Sequence, residues 1–524
     1  MEDGAVQLVP GRSIGFMTLG CSLHEILTTI KAEVRAFPRF QLYHDDSRPI
    51  ASPVHIVLPD NGLRLQFDGP DQRLRLIEVL DFTKARLIYK DVEVYKPTEG
   101  HGGISTGPSS GPRFRHIYDK LLGPTYGGEY MPPNNGDISA NGTYNLSYPG
   151  VAFNFPVQHA AYSPKKDFIS LLSSSATGPA KSMAIFNGES WQKARSSLFT
   201  APPPNPRAFV LSGKGKEGSP DEIELVRVHG EGRIELVRRS SPSFWIILSE
   251  TTPQDLIMEL GAPDSIYRKN DHRLSIHKDR RISDVSETSG ARLTPDELLG
   301  SDRGSAIDTD NDDDWEGDNE AAIEVQEREV AAAEHFYNYY HHGFDILISQ
   351  PTQISPPSQT SDSSTSEAQG ELSAQPLNHL TATKIIFHGN VPGSYQFNRH
   401  RRCRWTLDHV PSELRREPLN SEMSFADISR ELKNVHREYY ATEEEERLQQ
   451  RGMALNRGWG DSPGSSVELL GGWEDSSNKK SKFANAGSDL LEGAGDVGNV
   501  ELFGFPGMVF EVLKNGAVSS LTVY

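Results

Sequence analysis

The sequence predicts an α+β fold in which helix-plus-antiparallel-hairpin units repeat, giving mainly antiparallel sheets covered by helices, with long disordered insertions. Three observations predict it: a glycine-led strand signature that recurs four times, a punctuated helix ahead of each copy, and turn residues that close strands into hairpins. The signature is a glycine with apolar residues at the first, third and fifth positions after it, the two-residue period of a strand with one buried face. Its copies are Gly62 with Leu63, Leu65 and Phe67; Gly150 with Val151, Phe153 and Phe155; Gly343 with Phe344, Ile346 and Ile348; and Gly507 with Met508, Phe510 and Val512. A turn at Asp68–Asp71 leads from the first copy to Leu74, Leu76 and Val79. An Asn515-Gly516 turn leads from the last to Val518, Leu521 and Val523, so both read as hairpins.

The first helix starts at Ser22 with Glu25 three residues on, a capping-box pattern, and runs Leu23, Ile26, Leu27, Ile30, Val34 along one face. The second runs from Phe114 through Ile117, Tyr118, Leu121 and Leu122 to a stop at Gly123-Pro124. The third has Thr252 as N-cap, Pro253 in its first turn, and Gly261 and Pro263 beyond Leu260. The fourth is expected near Ser462–Leu470, ending at Gly471. A further stretch, Glu422–Arg451, is charged, yet Phe425, Ile428, Leu432 and Val435 fall at helical spacing, as in a solvated helix.

At 524 residues the chain has room for several compact units. It is 36 % hydrophobic, about 41 % once glycine replaces tyrosine in the class, against ~45–50 % in globular chains, so part of it is expected not to pack. Composition places the breaks. The expected divisions are 1–96, a first helix and hairpin unit; 97–112, a flexible linker; 113–240, a second unit; and 241–282, the start of a third. An acidic disordered insertion covers 283–334, and a third-unit strand 335–350. A Ser/Thr/Pro-rich loop takes 351–380, further strands 381–410, and a charged insertion 411–460. The C-terminal unit comprises 461–474 and 499–524 around a disordered loop at 475–498.

A net charge of −19 argues against nucleic acid, which requires a basic footprint. Two distant cysteines, Cys21 and Cys403, suggest neither a disulfide framework nor a CxxC zinc site. No signal peptide or spanning segment is readable, so an intracellular, soluble protein is expected, and the glycosylation triplets at Asn141 and Asn145 read as chance.

Each chemical motif competes with a plainer account. His101 to Gly107 matches GxSxG around Ser105, with an HGG preceding it. A nucleophile elbow needs a strand before and a helix after, and here Gly, Ser and Pro flank both sides. His24-Glu25 opens like a zinc-protease helix, but Thr28 stands in place of the second histidine. Gly213–Ser219 has P-loop composition without the GK[ST] ending. Asp308, Asp310 and Asp312 copy EF-hand ligands, yet Asp313 replaces the turn glycine and Asn319 the closing glutamate. His335, His341, His342 and His388 lack carboxylates at ligand spacing and read as structural or surface groups. Arg399–Trp405 is the one cationic run beside aromatics; it suggests either a contact with anionic lipid or, preferred here, a charged edge strand. Asp167–Leu171 has the aromatic-x-x-aliphatic form of peptides that add a strand to ubiquitin-like receptors, a pattern common by chance. No catalytic, cofactor-binding or metal residue is therefore assigned.

Longer strings carry a resemblance. Gln72–Val79 with Asp81 and Lys84, Asn338–Tyr340 running into Gly343–Leu347, Asp255–Ile257 to Leu260–Pro263, Pro392–Asn398 with Arg402-Cys403, and Phe510–Val512 through Asn515-Gly516 to Leu521–Tyr524 resemble the phagosome assembly factor family in order. The similarity spreads from about Val9 to Tyr524; the insertions 283–334, 351–376 and 415–456 depart from the shorter family pattern. What the resemblance implies is a cytoplasmic, non-enzymatic autophagy adaptor without cofactors, recruited with a β-propeller (WD40-type) protein to the phagophore assembly site. Any phosphoinositide membrane contact would be weak or indirect. The alternative it carries is a membrane-traffic factor at the trans-Golgi network acting in Golgi-to-plasma-membrane transport.

Overall fold

The computed structural model describes residues 5–96, 111–133, 141–206, 221–268, 334–351, 379–410, 418–456 and 499–524. The segments containing Ser105, Gly213–Ser219, the Asp308–Asp312 acids and the expected helix at Ser462–Leu470 lie outside the described residues.

The chain builds the same set of elements twice. In the first half a short meander, β1 (Val6–Val9), β2 (Ser13–Ile14) and β3 (Met17–Thr18), leads to helix α1 (Leu23–Ala32). A four-strand meander follows: β4 (Gln41–Tyr43), β5 (Val54–Leu58), β6 (Leu63–Phe67) and β7 (Leu74–Val79). Then come the hairpin β8 (Leu87–Tyr89) and β9 (Val92–Glu93), helix α2 (Phe114–His116) and a second meander, β10 (Glu129–Met131), β11 (Asn141–Tyr148), β12 (Val151–Gln158) and β13 (Ser182–Phe186). Short helices α3 (Phe168–Leu172) and α4 (Trp191–Ala194) flank β13.

The second half repeats this order. Its first meander is β14 (Ile223–Val228), β15 (Arg233–Arg238) and β16 (Phe244–Ile247), followed by α5 (Pro253–Leu260). Then come β17 (Ser265–Arg268), β18 (His335–Tyr339), β19 (Phe344–Ser349) and β20 (Thr381–His388), and the hairpin β21 (Trp405–Leu407) and β22 (Leu419–Asn420). Helices α6 (Phe425–Val435) and α7 (Glu443–Gln449) precede β23 (Met453–Asn456), β24 (Asn499–Phe505), β25 (Met508–Leu513) and β26 (Val518–Val523).

Sheet order repeats with the elements. Each half has a five-stranded sheet, β3-β2-β1-β8-β9 or β16-β15-β14-β21-β22, and an eight-stranded sheet, β10-β11-β12-β13-β7-β6-β5-β4 or β17-β18-β19-β20-β26-β25-β24-β23. Pairing is antiparallel except where the hairpin returns to the first strand, β1 with β8 and β14 with β21. Two large apolar clusters result, one from Leu8 to Ile185 and one from Ile223 to Val523, beside smaller ones around Phe186 and Val391, and the buried faces of α1, α5 and α6 belong to the large ones.

Local chemistry explains most boundaries. Gly62, Gly150, Gly343 and Gly507 all take positive φ, the left-handed turn that glycine enters without steric cost, just ahead of β6, β12, β19 and β25. At Gly343 a side chain is excluded twice over, because a Cβ would sit 2.3 Å from the Arg401 carbonyl oxygen. β6 buries alternate residues as its period requires, whereas β19 is buried on both faces, so the expected one-sided strand is corrected there. Ser22 caps α1 by accepting from the Glu25 amide at 3.2 Å. The full reciprocal capping box forms instead on α5, between Thr252 and Asp255. Helix α1 ends at Ala32, which leaves Val34 exposed rather than on the buried face. After α2 the chain widens into a π turn over Ile117–Leu121, closed by the Leu122 amide on the Ile117 carbonyl at 2.9 Å, before Gly123 stops it. In the second half α6 holds the place of that helix. Its Phe425 lies 4.5 Å from Phe503 and 5.7 Å from Phe510, ring to ring, so the stripe inside the charged stretch is a packed face.

Candidate functional site

The densest buried polar chemistry lies where the two halves meet, built by the turn between β6 and β7 and by the connection from β20 to β21. In the turn, Asp68 accepts from the amides of Asp71 and Arg73, both at 3.1 Å, and pairs with Arg75. Burial raises its pKa above the ordinary range against the pull of Arg75. Gln72 adopts positive φ and reaches across the molecule: its Nε2 donates to the Asn390 carbonyl at 2.8 Å, and Asn390 Nδ2 donates back to its Oε1 at 2.7 Å.

Glu222, just ahead of β14, is the electrostatic centre. Arg73 of the first half and Arg401 of the second each lie 2.7 Å from its Oε1, with Arg239 at 3.5 Å from Oε2. Burial opposes its ionisation, but Arg401, Arg73 and Arg239 together hold the carboxyl down at about 2. Arg402 is buried and donates to three backbone carbonyls, Pro70 at 2.6 Å, Gly389 at 2.7 Å and Ser421 at 3.2 Å. That burial lowers its pKa to about 10. Arg404 spans Asp71 and Glu422.

The cationic run Arg399–Trp405 is thus neither an edge strand over its basic part nor a lipid-facing patch. His400, Arg401, Arg402, Cys403 and Trp405 are all buried, and strand begins only at Trp405. Alternation misled because residues 401–404 follow an irregular path that turns each guanidinium toward a different carboxylate or carbonyl. The aromatic-x-x-aliphatic peptide is likewise unsuited to strand addition as it stands. Asp167 caps the short helix Phe168–Leu172 and Leu171 is buried.

One cluster went unseen in the sequence. Asp345 on β19 accepts from His388 Nε2 through Oδ2 at 2.9 Å and from His400 Nε2 through Oδ1 at 2.8 Å. His335, His341 and His342 do not join it; His341 pairs with Asp264 at 2.7 Å and His342 stacks on Phe344. These are zinc-binding residue types, with donor atoms within 4.8 Å of one another. The rings decide against a shared ion: the His388 and His400 centroids are 3.7 Å apart with planes 13° from parallel. In-plane nitrogen lone pairs on stacked rings run side by side, and do not converge on one point at the ~2.0–2.1 Å that zinc requires. A carboxylate, with one oxygen at the Nε2 edge of each ring, suits that spacing. Burial, joined by the neighbouring His388 imidazole, holds His400 down at about 3 against the pull of Asp345, whose own carboxyl lies well below its usual range. The group is a buried hydrogen-bonded post between β19, β20 and the connection.

A family comparison identifies the context of this junction. The sequence model of phagosome assembly factor 1 matches residues 13–291 and 376–524, on both sides of the junction. The chain belongs to that family. It is 22 % identical over 412 residues to a phagosome assembly factor 1 family protein of Arabidopsis thaliana, covering 76 % of this chain and 74 % of that one. It is 21 % identical over 409 residues to one of Drosophila melanogaster, covering 76 % and 73 %. A third, from Caenorhabditis elegans, is 25 % identical over 138 residues, 26 % of this chain and 28 % of that one. No solved structure matches. Two of the strings that resemble the phagosome assembly factor family, Gln72–Val79 and Pro392–Asn398 with Arg402-Cys403, supply residues that meet here: Gln72 and Arg73 from the first, Arg402 from the second.

His24 makes the junction sensitive to acid. Its Nε2 lies 3.1 Å from the Arg399 carbonyl, and burial lowers its pKa to about 4. Between pH 6.5 and 4 the unfolded chain binds a proton that the folded chain refuses, so stability falls as pH falls, by up to about 1.4 kcal/mol per unit. Urea unfolding at pH 7 and pH 5 is expected to show a smaller difference in His24→Gln, which keeps a donor but cannot titrate. Equal differences in both proteins would remove His24 from the account.

Proposed function

We propose that this protein is a non-enzymatic adaptor in autophagy, recruited to the phagophore assembly site together with a β-propeller (WD40-type) partner. The observation that carries the reading is the family match over both halves, with phagosome assembly in the family's description. The buried groups fit it in kind: the junction arginines and the Asp345 cluster are consumed in internal contacts, leaving outer surfaces for partners. No helix among the described residues is long and apolar enough to cross a membrane, which agrees with arrival at a membrane through a partner.

The test is to follow the tagged full-length chain in fed and starved cells while measuring autophagic flux, and to crosslink its partners from the starved cells. Starvation-dependent puncta, impaired flux on gene loss and a WD40-type protein among the crosslinks are expected. Diffuse signal with normal flux would overturn the proposal. Defective delivery to the cell surface with flux intact would replace it by the trans-Golgi reading.

A further inference from the structure

The two halves differ most informatively between their second helix and the edge strand of the eight-stranded sheet. In the first half residues 122–128 make that connection; in the second it takes residues 436–452. The added length forms a single turn at Arg437–Tyr439 and the helix α7, and between α6 and α7 it leaves a cleft of about 430 Å³. That volume falls in the range of small-molecule sites, ~300–1,000 Å³. Its walls are Lys433, Asn434, Arg437, Glu446, Arg447 and Gln450.

We propose that this cleft binds a small anion carrying two or more phosphate groups. Three cations and two amides face one carboxylate, a concentration of donors opposite in sign to the −19 of the whole chain. Helix dipoles explain part of it, since Lys433 closes α6 and Arg447 closes α7, where positive charge is favoured. They do not explain Gln450. Its side chain is 8 % exposed and its Nε2 has no hydrogen-bond partner among the described residues, a stranded donor that costs about 1–3 kcal/mol. A phosphate oxygen in the cleft would satisfy it. Guanidinium groups offer planar paired donors that match phosphate oxygens, and Lys433 and Arg447, at the ends of two different helices, suit a ligand that carries more than one phosphate.

The experiment is calorimetric titration of the full chain with tripolyphosphate at low salt, beside Arg447→Gln, Lys433→Gln and Gln450→Leu. Saturable binding that weakens at least tenfold in each variant is expected, together with an unliganded melting temperature for Gln450→Leu that is unchanged or higher. Absence of saturable binding, or equal binding by wild type and all three variants, would overturn the proposal. So would a lowered melting temperature in Gln450→Leu with affinity intact, which would make Gln450 purely structural. Competition by vesicles containing phosphatidylinositol bisphosphate would assign the phosphates to a lipid headgroup, and its absence to a soluble anion; either result supports the same chemistry.

Discussion

Replacing Glu222 with alanine is expected to cost about 3–5 kcal/mol of folding stability, among the largest effects available from one side chain in this molecule. The carboxylate is 12 % exposed and sits between Arg73 and Arg401, themselves 5 % and 9 % exposed. Removing it takes away the carboxylate that two buried guanidinium groups, one from each half, share. Glu222→Gln should be nearly as damaging, because shape survives and charge does not. Arg227 with Glu235 provides the control: that pair is 3.4 Å apart with Arg227 44 % exposed, and Arg227→Ala should cost less than ~1 kcal/mol. Urea unfolding of the three variants at neutral pH gives the comparison. A Glu222→Ala loss no greater than that of Arg227→Ala would mean that water reaches the junction cations.

The asymmetry also explains what residue patterns can and cannot reveal. Turn glycines, caps and helix stops are local, acting over three or four residues, and so Gly62, Gly150, Gly343, Gly507, Thr252 and Gly123 were all legible. The expected helix at Ser462–Leu470 lies outside the described residues, and the stretch that holds α6 is highly charged. Only Phe425, Ile428 and Leu432 are buried there, a narrow stripe that reads equally as a solvated helix until Phe503 and Phe510 are seen against it. The junction was illegible for a different reason. Gln72 and Asn390 are 318 positions apart, and nothing local distinguishes an arginine turned inward toward a distant carboxylate from one that faces solvent. His400 was hidden in the same way, read as part of a basic run when its partner is Asp345 on another strand.

Pairing four units into two halves is likewise a property of the sheets. A strand signature says that a face is buried but not which edge it meets, and here β13 meets β7 and β26 meets β20, fusing two meanders into each eight-stranded sheet. The parallel return of β8 to β1 and of β21 to β14 then closes each five-stranded sheet. The second return carries the junction with it, because Arg401, Arg402 and Arg404 lie on the approach to β21. Strand order inside the second half therefore sets the positions of the cations that hold the first.

Trp405, the first residue of β21, is where that dependence should be measurable. It is 1 % exposed, pairs in parallel register with Val226, and packs edge-on against Phe510 with ring centroids 6.0 Å apart. One side chain thus ties the five-stranded sheet to the eight-stranded sheet, one residue after Arg404. Trp405→Ala should cost about 3–5 kcal/mol through lost burial and the cavity left behind, and Trp405→Phe less, since an aromatic ring still meets Phe510. Because the backbone of β21 positions the arginines, Trp405→Ala and Glu222→Ala are expected to be less than additive, the second change finding the junction already loosened. Full additivity in a double-mutant cycle would show that the core beneath β21 and the charges beside it hold independently, and that the position of the cations is set by the connection alone.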